Sequence, residues 1–367
     1  MFKPNRRACI QGALATMAAG AVPSVSGAAL RRQPGERTSP GNEKIKLCLV
    51  WGEDPHLVKL SEQIGVTHTI AGTADALSRV PRSQYLDTVA KIKARYEAAG
   101  LTIAGIESDP VPTEKIKLGL PGRDEQIENY IAALKALGEV GIPMVCYNFM
   151  AGIGWYRTRY HDPGRGGCMT VSFDIQDAKK QGLTKWGRIS EEQMWHNIEY
   201  FLKAVIPAAQ KAGVQMALHP DDPPVPELCG IARICISAAN YRRIMHIVPS
   251  PVNGVTFELS VFYLAGDNIK ALAQEWCREK KVFFVHARNV RGTRDRFVET
   301  FQDDGAIDFG EMFQTLYDHG FRGPLRPDHD PVLDGEVGVQ PGYGVLGKIF
   351  AVGYIKGIMA SRHIPYG

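Results

Sequence analysis

Several signatures that would assign a function directly are missing from this chain of 367 residues. None of its 7 cysteines forms a C-x-x-C pair, which leaves no cysteine-based zinc or redox motif. No strand-like run is followed by Gly-x-Gly-x-x-Gly, so the usual dinucleotide-binding fingerprint is missing as well. No apolar run approaches about 18 residues, the length that spans a bilayer, so we expect no transmembrane helix.

An excess of charge of one sign is also missing. The formal net charge is +4, and Lys3, Arg6 and Arg7 lie in the first 28 residues, which contain no Asp or Glu. The remainder is close to neutral, so nothing favours nucleic acid or a membrane surface as a partner. The 44% hydrophobic and 22% charged residues are typical of a globular protein, and the length fits two average domains or one large α/β barrel.

The first residues have the order of an export signal. Asn5-Arg6-Arg7 precedes a short run rich in Gly and Ala, and Ser26-Gly27-Ala28 offers a cleavage site. A paired arginine before a mildly apolar run resembles a twin-arginine signal, which exports folded proteins. We predict a signal over residues 1–28, a polar linker over 29–43, and a periplasmic mature protein without membrane attachment. A disordered basic tail is the alternative.

Short apolar runs alternate with segments of helical spacing throughout residues 44–367. Helices are expected at 84–99, 123–139, 191–212 and 344–361. Eight strands are expected at 45–51, 67–70, 101–106, 144–147, 214–218, 255–257, 282–285 and 322–325. Eight strand–helix units over this length predict a single-domain (β/α)8 TIM barrel, with a doubly wound parallel sheet as the alternative.

Residues 151–190 interrupt this alternation between the fourth strand and its helix. The segment is rich in Gly, Arg, Tyr and Asp and has little periodicity, which predicts a long irregular loop. In a barrel this loop would leave the C-terminal face, where active sites lie. Its aromatic residues, Trp155 and Tyr156 among them, favour a lid over the site rather than a disordered excursion.

Polar residues stand at the ends of four consecutive predicted strands. These residues are His219, Glu258, His286 and Asp328. Because strand ends converge at the mouth of a barrel, the four side chains predict a site for one divalent cation. Ligands without thiolate suit manganese, magnesium, cobalt or zinc. Nearby Arg288 and Arg326 suit a substrate carboxylate or internal ion pairs, and Asp221 and Asp222 are simplest as turn residues.

Six motifs in colinear order give the chain a resemblance to a known family. They are Lys117–Asp124, Cys146–Met150 before Trp155 and Arg157-Thr158, Leu218–Pro224, His286–Val290, Arg326–His329, and Gln340–Gly344. Together they resemble the mannonate dehydratases, metal-dependent TIM barrels of the xylose-isomerase-like group. The resemblance implies a divalent metal, typically manganese, and removal of water from a sugar acid such as D-mannonate to give a 2-keto-3-deoxy acid.

The resemblance also implies roles for particular residues. The metal ligands correspond to His219, Glu258, His286 and Asp328, and the acid/base pair corresponds to His329 and Tyr343, with the order of the two open. Arg288 or Arg326 would orient the substrate carboxylate, while Asn148, Trp155 and Arg157 would close over the sugar. The family often forms dimers or tetramers, so a homodimer or homotetramer is expected.

Three positions differ from the family pattern, and the loop beyond Thr158 differs as well. Gly154 stands where the family has an acidic residue before its Trp. Glu258 stands where the family usually has Cys, and Asp330 stands where Gly usually follows the Asp-His pair. A carboxylate at position 258 is closer to the sugar isomerases and epimerases of the wider group. A metal-dependent isomerase, epimerase or lyase acting on a keto-sugar or oxidised glycoside therefore remains an alternative function. A periplasmic sugar-acid binding protein without catalysis is a third.

Overall fold

A computed structural model describes residues 43–50 and 54–367 of the chain. The predicted signal, residues 1–28, and nearly all of the predicted linker, residues 29–43, lie outside the described residues. Within the described part, no helix is both long and apolar enough to cross a membrane.

The described residues alternate strands and helices along their whole length. The helices are α1 (Pro55–Gln63), α2 (Ala74–Ser78), α3 (Tyr85–Ala98), α4 (Glu114–Leu118), α5 (Arg123–Glu139), α6 (Ile175–Ala178), α7 (Glu191–Ala212), α8 (Ala238–Ile247), α9 (Leu259–Leu264), α10 (Ile269–Arg278), α11 (Phe309–Asp318) and α12 (Val345–Ser361). The strands are β1 (Lys46–Leu49), β2 (His68–Ala71), β3 (Thr102–Glu107), β4 (Met144–Asn148), β5 (Arg159–Pro163), β6 (Met169–Asp174), β7 (Gln215–His219), β8 (Glu227–Leu228), β9 (Ile231–Ala232), β10 (Asn253–Glu258), β11 (Val282–Ala287), β12 (Asn289–Thr293), β13 (Arg296–Thr300) and β14 (Pro324–Pro327).

Eight of these strands close into a barrel. Their order is β1, β2, β3, β4, β7, β10, β11 and β14, and β14 pairs with β1. The neighbouring strands are parallel, for example β4 against β7 with Asn148 opposite His219. The predicted (β/α)8 barrel is thus confirmed, with every predicted strand present and its bounds moved by a few residues.

The strands are apolar on both faces because both faces are covered. Along β11, Phe284 belongs to a core inside the barrel, whereas Val285 belongs to the core between strands and helices. The inner core is built from Cys48, Ile70, Ala104, Met144, Cys146, Ala217, Phe283 and Phe284. Side chains therefore fill the lumen, and polar groups remain for the ends of the strands.

The helices begin and end where local chemistry favours it. At the start of α7 the Ser190 side chain accepts a hydrogen bond from the Gln193 amide at 3.2 Å, and Glu191 and Glu192 occupy the first turn. Gly213 ends the helix with a left-handed φ of 70°, a conformation that costs glycine little. Such caps fix the depth at which each following strand enters the barrel.

The insertion, residues 151–190, is not the irregular loop that the sequence predicted. It contains β5, β6 and α6, and β6 pairs antiparallel with β13, where Phe173 stands opposite Phe297. The hairpin β12–β13, residues 289–300, completes a four-stranded sheet in the order β12, β13, β6, β5. The prediction failed because β5 is polar and β6 finds its partner more than a hundred residues away. Its closure as a lid stays a prediction.

Candidate active site

The C-terminal ends of the barrel strands surround a small polar pocket of about 230 Å³. Eight of the residues predicted for the site line it, namely Asn148, Trp155, His219, Arg288, Arg326, Asp328, His329 and Tyr343. Glu107, Ser108, Cys146, Met150, Gly154 and Asp222 complete the wall. The volume is below the usual range for drug-sized ligands, which suits a small polar molecule.

Three of the four predicted metal ligands lie together. The rings of His219 and His286 have their centroids 5.0 Å apart, and Nδ1 of His286 lies 3.6 Å from Oδ2 of Asp328. Burial lowers the pKa of both imidazoles, that of His286 to about 4, so both rings are neutral at pH 7. Burial alone would raise the pKa of Asp328, but Arg326 and the neighbouring histidines hold it well below its ordinary value.

The two histidines differ in their hydrogen bonds. Nδ1 of His219 lies 2.7 Å from the carbonyl oxygen of Pro220; as the donor there, it leaves the Nε2 lone pair available. Among the described residues, neither ring nitrogen of the fully buried His286 has a hydrogen-bond partner. An unpaired buried polar group is costly, so a bound cation would satisfy a nitrogen that these residues leave without a partner.

Glu258, the fourth predicted ligand, does not line the pocket. Its carboxylate accepts hydrogen bonds from the Ser260 hydroxyl at 2.9 and 3.0 Å and from the backbone amides at the start of α9. Arg288 Nη2 donates to it at 3.2 Å. Burial raises the pKa of Glu258 to about 7 despite the arginine. The structure thus turns this side chain toward the helix, and its role as a ligand stays a prediction.

Glu107 is an acidic residue of the site that the sequence analysis did not identify. It ends β3, and its Oε2 lies 3.8 Å from Nε2 of His286. Arg326 holds its carboxylate with two nitrogens, Nε at 2.9 Å and Nη2. The rule that polar residues stand at strand ends would have found it in Ile106-Glu107-Ser108. Glu107 is therefore a second candidate for the fourth ligand.

The three arginines predicted to hold substrate are engaged by carboxylates of the protein itself. Arg326 contacts Glu107 and also lies 2.7 Å from Asp328. Arg288 donates to Asp222 at 2.5 Å and to Ser260 at 2.6 Å. Arg157 is fully buried, binds Asp222 with both terminal nitrogens at 2.8 Å, and is absent from the pocket wall. Their contact with substrate stays a prediction, and for Arg157 the burial argues against it.

Around the described pocket, four buried carboxylates and the half-buried Glu107 outnumber the guanidinium groups by two. The acids are Glu107, Asp222, Glu258, Glu299 and Asp328, and the bases that contact them are Arg157, Arg288 and Arg326. With neutral imidazoles the fully ionised set would carry two uncompensated negative charges, and protonation of Glu258, whose pKa is about 7, removes one of them. A divalent cation would neutralise them, which fits the donor set of imidazole and carboxylate.

The predicted acid/base pair is in direct contact. Nε2 of His329 lies 3.2 Å from the hydroxyl of Tyr343, and the indole of Trp155 packs edge-on against the His329 ring at 4.9 Å. Burial, reinforced by the charge of Asp328, raises the pKa of Tyr343, so the phenol retains its proton. The pair can therefore exchange a proton at the pocket wall.

Among the described residues, only Asp222, Glu299 and His329 have potential ligand atoms that all lie within 4.8 Å of one another, near enough to hold a metal ion. The ligand atoms of His219, His286 and Asp328 do not meet this distance. The guanidinium groups of Arg157 and Arg288, however, already contact the two carboxylates. This arrangement is an ion-pair network whose positive charges are supplied by arginine, so His219, His286 and Asp328 suit a cation better.

Asn148 presents a defined hydrogen-bonding group to the pocket. Its Oδ1 accepts from Lys117 Nζ at 2.9 Å and from the Met150 amide at 3.1 Å. Lys117 is in turn held by Asp109 at 2.7 Å. With the oxygen engaged, the amide nitrogen is the group left to donate to an oxygen of a ligand.

Comparisons with known proteins show which family the chain is similar to. A family model described as D-mannonate dehydratase (UxuA) matches residues 45–186 and 176–364. The mannonate dehydratase of Streptococcus equi subsp. zooepidemicus is 35% identical over 347 residues, which is 87% of this chain and 94% of the relative. That of Thermotoga petrophila is 33% identical over 351 residues, 86% of this chain and 97% of the relative.

Solved structures are similar as well. The crystal structure of mannonate dehydratase from Streptococcus suis serotype 2 matches with a TM-score of 0.79 at 31% identity, covering 88% of this chain and 97% of that one. A D-psicose 3-epimerase from Clostridium cellulolyticum H10 matches with a TM-score of 0.54 at 14% identity, covering 87% and 99%. The second likeness concerns the barrel fold alone.

Proposed function

Because the chain belongs to the D-mannonate dehydratase family, we propose that it is a metal-dependent hydro-lyase that removes water from D-mannonate or a close sugar acid. The product would be a 2-keto-3-deoxy acid. The observation that carries the proposal is that His219, Asp328 and the His329–Tyr343 pair line one pocket. His286 is not part of the pocket wall, but its ring lies against His219 and Asp328.

The proposed metal would be held by His219, His286 and Asp328, with Glu107 or Glu258 as the fourth ligand. When bound, such a cation stabilises negative charge that develops on the substrate, and we propose manganese, with magnesium, cobalt or zinc as substitutes. The unpartnered nitrogens of His286 and the surplus of buried carboxylates support this proposal.

The chain's own residues would move the protons. Loss of water requires removal of the proton at C2, next to the carboxylate, and protonation of the departing hydroxyl group at C3. His329 is neutral when its Nε2 accepts from the Tyr343 hydroxyl, so His329 suits the base and Tyr343 the acid. Asn148 would donate to a sugar oxygen, while Trp155 would exclude water from the His329 ring.

Metal analysis of the purified protein together with a mass-resolved incubation tests the proposal. The substrates are a panel of hexonic and hexuronic acids, with D-mannonate included. We expect roughly one divalent metal per chain and a product lighter than an aldonic acid by one water. Metal without loss of water would overturn the dehydratase assignment in favour of an isomerase, epimerase or lyase, and a protein that binds sugar acid without metal or turnover would be a binding protein.

Matched variants test the ligand set in the same assay. His219→Ala should lose the metal, whereas His246→Ala, on the exposed side of α8, should keep it. Glu107→Gln and Glu258→Gln separate the two candidates for the fourth ligand, because the true ligand lowers metal content when replaced. Full metal content in His219→Ala would contradict the site.

Two further proposals concern the protein as a whole. We propose export to the periplasm by the twin-arginine route, supported by Arg6-Arg7 and the small residues that follow. Replacing both arginines with lysine should retain the protein in the cytoplasm in a fractionation assay. We also propose a homodimer or homotetramer, which light scattering of the purified protein would test.

A further inference from the structure

Glu299 is a buried carboxylate beside the acid/base pair that no sequence motif indicated. It lies on β13, in the hairpin that covers the mouth of the barrel, and is 2% exposed. Both of its oxygens lie 2.9 Å from Nδ1 of His329. A carboxylate at this distance from one ring nitrogen, with Tyr343 at the other, has the geometry of an orienting group.

The contacts decide which nitrogen of His329 carries the proton. An ionised carboxylate can only accept, so Nδ1 must be the donor toward Glu299. Nη1 of Arg288 also approaches Nδ1, at 3.0 Å, but that nitrogen donates to Asp222 at 2.5 Å. If Nδ1 were unprotonated, its lone pair would face the two carboxylate oxygens of Glu299. In a neutral His329 the proton therefore lies on Nδ1, which leaves the lone pair of Nε2 toward the pocket.

Glu299 is itself held in place from the insertion. Arg157, 1% exposed, donates to Oε1 of Glu299 through Nε at 2.9 Å and also through Nη2. The same guanidinium group donates two hydrogen bonds of 2.8 Å to the carboxylate of Asp222. Burial alone would raise the pKa of Glu299, but His329, Arg157 and Arg288 hold it below its ordinary value. Glu299 is thus fixed, ionised and unable to turn away.

We propose that Glu299 is a positioning residue that locks His329 in the Nδ1–H tautomer, with Arg157 holding the Glu299 carboxylate against the ring. This assigns Arg157 a structural task in place of substrate contact. The tautomer itself depends on the geometry of the described residues alone. Its kinetic consequence rests on the proposed function.

In the proposed reaction the proton balance is complete. Nε2 of His329 forms an N–H bond as the C2–H bond of the substrate breaks, and the electron pair stays on the substrate. That pair forms the C2–C3 double bond as the C3–O bond breaks, and the departing hydroxyl group takes the Tyr343 proton and leaves as water. The enol that remains loses its 2-hydroxyl proton and gains a proton at C3 from water, which gives the 2-keto-3-deoxy acid. The imidazolium then returns a proton to the Tyr343 oxygen across their 3.2 Å contact. Glu299 faces the positive ring throughout but takes no proton.

Nitrogen NMR of protein labelled with ¹⁵N-histidine tests the tautomer without any turnover. The signals of His329 are identified by their loss in His329→Asn. We expect a protonated Nδ1 and an unprotonated Nε2 in the full chain at neutral pH. Glu299→Gln should mix or reverse the two, because a carboxamide can donate to Nδ1 as well as accept from it. An unchanged tautomer in Glu299→Gln would overturn the proposal.

Kinetics provide the second readout. Glu299→Gln should lower kcat by roughly 100-fold and leave KM and metal content within about threefold. Glu299→Asp, which keeps the charge, should recover part of kcat. The control is Asp304→Asn, which removes the ion pair between Asp304 and Arg291 of the same hairpin and should leave kcat unchanged. If kcat falls only in proportion to the metal content, the positioning role is wrong. If Glu299→Gln does not fold, the NMR test uses Glu299→Asp, whose shorter side chain draws the carboxylate away from Nδ1. Unaltered His329 signals together with full kcat in Glu299→Asp would then contradict the proposal.

The two proposals fail in different ways. If no sugar acid loses water while the wild-type protein shows the Nδ1–H tautomer and Glu299→Gln changes it, the proposed function is wrong and the positioning of His329 stands. If water is lost but Glu299→Gln behaves like the wild type, the function stands and the positioning role is wrong.

Discussion

At the scale of single residues, Asp330 shows how the fold contains a charge beside the acid/base pair. Its sequence position, next to His329, suggests a negative charge that acts on the imidazole. In the structure Asp330 is buried and turned away, because Lys348 Nζ binds Oδ2 at 2.8 Å and Gln302 donates to Oδ1 at 2.8 Å. The charge is thus neutralised by a lysine of α12, and the departure from the family's glycine is compensated within this chain.

Removing that lysine should therefore destabilise the protein strongly. Lys348→Met leaves a buried carboxylate without its counter-charge, and we expect the free energy of unfolding to fall by about 3 kcal/mol. The double variant Lys348→Met with Asp330→Asn removes the charge as well and should recover most of the loss. Urea denaturation of the three proteins measures both effects, and equal losses in the single and double variants would contradict the pairing.

At the scale of elements, neighbouring helices are joined by ion pairs on the outer ring. Arg242 of α8 donates to Glu275 of α10 through Nε at 2.7 Å and Nη2 at 2.6 Å. The hydrogen bond from Arg242 holds the pKa of Glu275 below its ordinary value of 4.5. A carboxyl group with a depressed pKa stabilises the fold above that ordinary value, and the contribution is lost as pH falls through the folded-state pKa.

Arg242→Ala should therefore have a pH-dependent cost. At pH 7 we expect a loss of about 0.5 to 1 kcal/mol, since the pair is partly exposed, and the loss should shrink as pH falls below 4.5 toward the protonation of Glu275. Urea titrations at pH 7 and at pH 4 measure the difference. Glu275→Gln is the control, because it removes the titrating group, and a loss from Arg242→Ala that is equal at both pH values would refute the linkage.

At the scale of the whole molecule, the proposed metal should couple to stability. Its ligands come from β7, β11 and the end of β14, so binding would join strands far apart in the sequence. A ligand present at a hundred times its Kd adds about 2.7 kcal/mol, which corresponds to a rise in Tm of about 5 °C. Thermal denaturation with manganese and with chelator measures the shift. His219→Ala should show none, and an equal Tm for the wild type in both conditions would count against the site.

Most of the barrel could be predicted from the sequence because its signals are local. Continuous apolar runs mark strands covered on both faces, and glycines such as Gly213 mark helix ends. The same reasoning placed His219, His286 and Asp328 at one mouth, since parallel strands end on one side. The metal identity, the route of export and the residue roles stay predictions.

The rest of the site could not be predicted because it depends on contacts between residues that are far apart in the sequence. Glu299 lies inside an antiparallel strand that pairs with β12 and β6, and its contacts with His329 and Arg157 join segments far apart in the sequence. Asp222 has the sequence context of a turn residue, yet two guanidinium groups engage it in the folded chain. The sequence alone therefore does not distinguish Glu299 and Asp222 from other polar residues, because their roles depend on the sheet over the mouth of the barrel.

That shared sheet has a consequence for engineering. The insertion supplies β5, β6 and Arg157, and the hairpin supplies β12, β13 and Glu299, so each half completes the hydrogen bonds and the charges of the other. If residues 151–190 alone were replaced by the matching loop of a relative, the pairing of β6 with β13 would be lost. Glu299 would also lose its contact with Arg157. The two segments are therefore one exchangeable cassette, and a chimera with altered specificity should be built by moving both together.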